Sequence, residues 1–475
     1  MSVVSNSEAF ARVFGNGTSG NTPEERARSS MKEFVRGQTM LAEADANAQG
    51  RKLSAREALA TFGFDVLRRA IDDGQAALVP DRSEPATTLR DRREELGYSV
   101  EQLARIANVK NSDVVRAETP GLVSPIRLLE RLAPPLALDE RVLGFKPKAG
   151  ADARLGVRLR QLSRDGDTRR FSPATVAALA EAAWVIARQY SLAESIGEND
   201  LSLLGRFEPD GDYRYPTFAV GYRLAERARE LLRIGQEQPI PSLRHLIEND
   251  LRIPLVETSL GRTFAGATVA NGFSRGIVVN VEGANENVWV RRMTLAHELG
   301  HLLWDPTQRL DRLMIDRYDE IEGRGPLPRD PAEIRANAFA IAFLAPPAEI
   351  ERTVSRATDL VSAIETITDR FGISVTAARA HVGNICGIRG PTTINRRPPD
   401  PSTEWRVRED YTNDYFPLAS TPISRRGRFA WVVLRALEER VVSLDTSATL
   451  LKTSLEEIEA RKSSVLEITS PESLA

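Results

Sequence analysis

The 475 residues are too many for one ordinary hydrophobic core, so roughly two to four domains are expected. Charged residues make up 27% and apolar ones 41%, with a formal net charge of -2; the chain is no polyelectrolyte, and any nucleic-acid surface must be local. The single cysteine, Cys386, excludes an intramolecular disulfide framework and a cysteine-based zinc cluster, and it points to a reducing cytoplasm.

No stretch approaches the roughly 20 apolar residues of a membrane span. The best candidate, VAALAEAAWVIA (176–187), is interrupted by Glu181. The opening MSVVSNSEAF lacks a basic segment followed by an apolar one, so no secretory signal is expected.

In chain order, residues 1–25 are rich in Ser, Asn, Gly and Thr and read as a flexible N-terminus. Residues 26–80 carry helical patterning, with Ser54 as the N-cap of AREALATFGFDVLRRAI. VPDRSEPATT (79–88) reads as a linker, and a compact helical domain at 86–145 follows, closed by KPKAGADARLG (146–156). Residues 157–240 form a helical connector, in which Ser172 and Pro173 cap an alanine-rich helix over 174–190.

The pattern then changes. IPLVETSL (253–260), RTFAGATVA (262–270) and RGIVVNV (275–281) are short, β-branched and divided by Gly and Asn, which predicts a small sheet. Helical periodicity returns from Trp289 to about Gly390. A proline-rich linker, TTINRRPPDPSTEW (392–405), and a small helical module at 426–462 complete the chain. No repeat of solenoid period is present.

The chemistry concentrates in TLAHELGHLLW (294–304). On a helix, His297 and His301 project from one face one turn apart, so both imidazoles can reach one metal ion. Neutral imidazole nitrogens suit Zn²⁺, with manganese the weaker alternative, and a catalytic zinc needs a third protein ligand and an open position. Glu298 stands where such a helix holds a general base. The bland alternative is a core helix, since Leu295, Leu299, Leu302 and Leu303 supply an apolar stripe. Two histidines and a glutamate inside that stripe would be costly to bury without partners, which favours the metal site.

The third ligand is expected from PAEIRANAFAIAFLAP (331–346), which opens with Pro331 and carries Glu333 in its first turn. Ala336 and Ala340 on that helix permit a close approach to the HExxH helix. Asp305, Asp311, Asp316, Asp319, Glu320 and Glu322 compete for the role, although their segment reads as a charged, solvated loop.

HELGH followed by ExxAN-x-FA and a helix-closing proline resembles the ImmA/IrrE-type zinc metallopeptidases. The resemblance covers roughly 221–390 and includes the IVVN strand, RMTLAHELGH and DRFGISVTAARAHVGNICGI (369–388). It implies a zincin-like α+β fold at 241–350, with the family's helical segment at 351–390. It also implies one catalytic zinc ion, held by His297, His301 and Glu333, with Glu298 as base. FLAP (343–346) and His381 depart from the family pattern, where a methionine and an arginine are usual. His381 and Tyr318 are candidates for transition-state support. The edge of the 262–281 sheet could take an extended substrate by strand addition.

TLRDRREELGYSVEQLARIANVKNSDVVRAETPG (88–121) resembles the helix-turn-helix of phage-repressor (Xre) type, with Ser99 as a cap, Asn108 at the turn and Val109 as a core plug. Asn111, Ser112 and Arg116 would face DNA if the third helix entered a groove. The basic and acidic residues of this stretch balance, however, and Val100 stands where the family commonly has glutamine. DNA binding and a protein-docking or dimerising role, including a homodimer, therefore both stay open.

These features predict a mainly α multidomain protein in which a helix-turn-helix is fused to the peptidase. The first functional reading is a zinc-dependent endopeptidase that cuts a regulatory protein, in the resembled family often a small Xre-type repressor, during a stress- or phage-related response. The second is a DNA-binding regulator or antitoxin-like protein whose zinc domain senses or docks without cutting.

Overall fold

The computed structural model describes residues 6–45, 49–78, 83–139, 171–212, 214, 217–271, 274–310, 314–321, 330–387, 399–410, 412–413 and 415–470. The closing segment expected at 146–156 and the first half of the 392–405 linker lie outside the described residues. The chain is mainly α-helical and forms two compact units, Met1–Asn199 with Phe416–Ser470, and Asp200–Tyr415. No helix among the described residues is long and apolar enough to cross a membrane.

The first unit corrects the reading of its N-terminal part. Within the stretch expected to be flexible, Asn6–Phe14 is a helix, and Val13 and Phe14 are buried. Within the stretch expected to be helical, a four-stranded antiparallel sheet is present. It comprises β1 (Glu33–Arg36), β2 (Met40–Glu43), β3 (Arg51–Ser54) and β4 (Ala76–Ala77), in the order β3-β1-β2-β4. Phe34, Leu41 and Leu53 from this sheet share a core with Phe14, Phe62 and Leu67. The strands are only four residues long or shorter, and Met, Leu, Ala and Glu are good helix formers. Cross-strand pairing with distant segments overrides that local preference. Ser54 caps its helix as expected, but Gly63, at φ +82°, ends it at Phe62 and a second helix runs from Phe64 to Asp72.

Helices Glu84–Glu95, Val100–Ile106, Asn111–Ala117 and Ile126–Leu132 follow. Ser99 and Gln102 form a reciprocal capping box, and Asn108 takes the left-handed conformation at the turn, with φ +52°. Val109 is half-buried, less than a full core plug. Arg93 ties the first helix to the end of the third, donating to Glu118 at 2.7 Å and to the Tyr98 carbonyl at 2.9 Å.

The C-terminal helices Arg428–Glu438, Leu444–Leu451 and Leu455–Ile468 are not a separate module, because they pack within the same unit. Ser443 donates to the Lys52 carbonyl at 2.7 Å, and Thr446 donates to Glu57 at 3.0 Å. Arg51 bonds Thr449 and the Asp445 carbonyl, and it pairs with Glu130. The sequence carries no local sign of these contacts, which, apart from the pair with Glu130, join residues nearly 400 positions apart. Ser454 caps the last helix, and the Glu457 carboxylate accepts from Thr453 and Ser420 at 2.6 and 2.9 Å.

The second unit holds the expected small sheet and one strand more. β5 (Leu255–Thr258), β7 (Ser274–Asn280), β6 (Phe264–Asn271) and β8 (Met314–Arg317) lie in that order. β5 runs parallel to β7, while β6 is antiparallel to both β7 and β8. The long helix Val288–Trp304 packs on β6 and β7 and against the helix Pro331–Leu344. The helix Thr217–Leu231 lies so close to Pro331–Leu344 that a Cβ on Gly221 would stand 2.5 Å from the Arg335 carbonyl.

This unit extends beyond residue 390, where the resemblance ends. Thr403–Asp410 is a helix whose Trp405 is buried, stacks under Arg292 at 4.5 Å and donates to the Asp369 carbonyl at 2.8 Å. Glu409 accepts the backbone N–H groups of Leu243 and Arg244 at 2.8 and 3.1 Å and pairs with the fully buried Arg292. Asp410 pairs with Arg291. Removing one member of a buried ion pair strands the other charge. Glu409→Ala is therefore expected to lower the stability of this unit by about 3–5 kcal/mol, read as an earlier midpoint in urea unfolding of the full chain.

Candidate metal centre

Every residue of the helix Val288–Trp304 is buried, including His297, Glu298 and His301. Asn287 caps it by accepting the Trp289 N–H at 2.9 Å. The helical spacing puts the two imidazoles face to edge, with their Nε2 atoms 3.0 Å apart. Glycine at two contacts allows the burial. A Cβ on Gly266 of β6 would lie 2.9 Å from Glu298 Oε1, and one on Gly300 would lie 2.7 Å from the Phe339 ring.

The helix Pro331–Leu344 starts at Asp330, which accepts the Ala332 N–H at 3.0 Å, and it delivers Glu333 from its first turn. Glu333 Oε2 lies 3.2 Å from His301 Nε2 and 3.3 Å from His297 Nε2. Its other oxygen accepts from Arg309 at 2.6 Å. Asp316 comes from β8 and places Oδ2 3.6 Å from His297 Nε2. One ligand atom from each of His297, His301, Asp316 and Glu333 falls within 4.8 Å of the others.

A further ring of side chains aims these groups. His297 Nδ1 meets Asn337 Oδ1 at 2.8 Å, and His301 Nδ1 meets Asp305 Oδ2 at 2.8 Å. Such partners on Nδ1 leave Nε2 of each ring pointing at the centre. Asp305 is fixed in turn by ion pairs to Arg335 and Arg309. Thr268 of β6 donates to Glu298 Oε2 at 2.8 Å, whereas Glu298 Oε1 and Asp316 Oδ2 are buried with no donor.

Burial works against protonation of His297, but Asp316 and Glu333 outweigh it and hold its pKa up to about 10. His301 is likewise raised against burial, by Glu333 and Asp305. Glu298 is pushed well above the carboxylate range by burial and by Asp316. Burial opposes ionisation of Glu333 too, yet the two histidines drive its pKa far down. The centre thus gathers three carboxyl side chains, with Glu298 Oε1 and Asp316 Oδ2 orphaned, around two imidazole nitrogens that face one another. A divalent cation would satisfy all of these groups, so the residues fit a metal ion.

The four residues singled out in the sequence, His297, Glu298, His301 and Glu333, meet here. Two others do not. His381 is buried elsewhere, between the Tyr222 hydroxyl at 3.1 Å and the Ala345 carbonyl at 2.8 Å, and burial lowers its pKa to about 4. It fills a core position. The Tyr318 hydroxyl is engaged by Glu282 and by Asn280 at 3.1 Å, so it braces the loop after β7. Asn111, Ser112 and Arg116 are exposed on the third helix of the helix-turn-helix-like segment.

Among the competing carboxylates, Asp316 belongs to the centre and Asp305 to the ring around it; Asp311 and Glu322 lie outside the described residues. Asp305 was legible as the i+4 neighbour of His301, and Asn337 as the Asn of ExxAN. Asp316, Arg309 and Thr268 carry no local signal. The β6 edge expected to receive a substrate is already paired with β8.

Residues 270–382 match the model of a peptidase family described as the IrrE N-terminal-like domain. No curated protein matches the chain. The matched stretch contains HELGH, Asp316 and Glu333, so it spans the whole ligand group.

In the metal-free protein His297 keeps its proton up to about pH 10, and an ion must displace that proton. Metal affinity should therefore fall as pH drops, by about tenfold per pH unit for each proton displaced. Competition titrations of zinc against a chromophoric chelator from pH 6 to 9 measure the slope; a flat profile contradicts the assignment.

Proposed function

We propose that the chain is a zinc-dependent endopeptidase that cuts a regulatory protein. Glu298 carries this reading. A carboxyl group fully withdrawn from solvent, with one oxygen lacking any hydrogen-bond partner, is costly unless the site uses it. A centre that only sensed or stored metal would have no need of it.

In this reading His297, His301 and Glu333 hold the ion. Zinc bound there supplies Lewis acidity and lowers the pKa of water. Glu298 takes the proton from the attacking water and returns it to the leaving amine. Thr268, donating to one Glu298 oxygen, leaves the other free for that transfer. Asn337 and Asp305 keep the imidazoles oriented, and Arg309 keeps Glu333 turned inward. An extended substrate would have to take the β6 edge that β8 holds, on the strand whose Gly266 and Thr268 face Glu298.

The substrate proposed is a small repressor of the Xre type, brought to the enzyme through the helix-turn-helix-like segment. Val115 on its third helix is 54% exposed, with Leu122 and Val123 also exposed just beyond. Apolar residues on that face, in a stretch without net charge, favour protein docking over DNA binding at Asn111, Ser112 and Arg116. A role in a stress or phage response and a cytoplasmic location complete the proposal.

Glu298→Gln keeps the shape of the side chain and removes the base. It is expected to slow cleavage of the repressor by about 10²–10⁴-fold while zinc content by elemental analysis stays the same. Cleavage at the wild-type rate would leave the DNA-binding regulator as the better reading, and substitutions at Asn111 or Arg116 would then abolish function.

A further inference from the structure

The described sheet holds an occupant where a substrate would have to run. A peptide whose carbonyl is to meet both the ion and Glu298 must lie beside β6, since Gly266 and Thr268 of that strand contact the Glu298 carboxylate side. One edge of β6 pairs with β7. The other pairs with β8, antiparallel, through Phe264↔Arg317, Gly266↔Asp316, Ala267↔Ile315 and Thr268↔Met314. Directly opposed residues of an antiparallel pair put their side chains on one face of the sheet. Opposite Gly266 that face is the metal face, and Asp316 stands on it.

Asp316 behaves as a ligand rather than as a surface carboxylate. It is 4% exposed, its Oδ2 has no hydrogen-bond donor, and that oxygen lies 3.6 Å from His297 Nε2. Together with His297, His301 and Glu333 it makes a four-member protein ligand set. Four protein ligands close a tetrahedral zinc site, whereas catalysis needs one position open.

We propose that β8 is an internal strand seated in the substrate position, and that its Asp316 is a fourth metal ligand which an incoming peptide must displace. The inference rests on the endopeptidase reading for its consequence, a resting site closed to substrate. Exchange is physically accessible. β8 pairs over four residues of an eight-residue β6, and the pairing is interrupted by an irregularity between Phe264 and Gly266. An extended peptide can form the same backbone hydrogen bonds along β6, so strand replaces strand with little net loss.

The test uses the full-length chain loaded with Co²⁺, whose visible spectrum reports its ligands, and acetohydroxamate as a probe of the open coordination position. Asp316→Ala should bind Co²⁺ at least about tenfold more weakly than wild type, with a changed spectrum. Acetohydroxamate should perturb that spectrum at about tenfold lower concentration, because the fourth position has been vacated. Asp316→Asn, which keeps the side-chain shape, guards against a loss of folding in the alanine variant and should shift both measurements in the same direction. Unchanged cobalt affinity, or equal acetohydroxamate binding in wild type and both variants, overturns the proposal. Cleavage assays add a separate arm. Faster cutting by Asp316→Ala supports displacement, whereas abolished cutting with metal retained makes Asp316 part of the chemistry and overturns it. The coordination measurements need no turnover, so they can fail or succeed independently of Glu298→Gln, which tests the endopeptidase reading.

Discussion

The helix from Val288 to Trp304 fits between β6 and the helix Pro331–Leu344 only because Gly266 and Gly300 offer no side chain at the two contacts. That spacing brings Thr268 to Glu298 and brings the Glu333 carboxylate to both histidines. A single methyl group at either glycine would meet the Glu298 carboxylate or the Phe339 ring inside van der Waals distance. The chemistry of the site is therefore set first by a packing distance, and only then by the identity of its polar groups.

Burying so many polar groups requires compensation, and it comes from both ends of the helix. At the start, Arg291 and Arg292 pair with Asp410 and Glu409 of a segment more than 110 positions later. At the end, Asp305 is held by Arg309 and Arg335, and Arg309 also reaches Asp330 and Glu333. Arg309 thereby links a partner of His301, the cap of the next helix and the Glu333 carboxylate in one network. These anchors pair the charges they bury with opposite ones, while Glu298 Oε1 and Asp316 Oδ2 at the centre are left without donors.

Much of the centre was legible because helices write their geometry into short spacings. His297 and His301 four apart, Glu298 between them, and Glu333 two residues after the helix-starting Pro331 each depend on contacts within one turn. The same locality made Ser54, Ser99 and Ser172 readable as caps. Reading failed where a residue's role depends on a strand, as with the sheet at 33–77 and with Asp316. Strands a few residues long carry too little periodicity to override helical propensity, and their register is fixed by partners far along the chain. His381 and Tyr318 failed differently: their chemistry suited a catalytic role, but folding places one in the core and the other at a loop brace.

By itself the sequence determined a mainly helical chain, a two-histidine helix with an adjacent glutamate, and a second helix to supply a carboxylate, since each is a property of a single amphipathic segment. Only the tertiary structure decided that Asp316 joins the ligand group and that β8 occupies the outer edge of β6. It likewise decided that Glu409 anchors the N-terminal end of the HExxH helix and that the C-terminal helices belong with the N-terminal sheet. Each of these is a contact between segments far apart in the chain, and its register is set by packing and backbone pairing that no local pattern encodes.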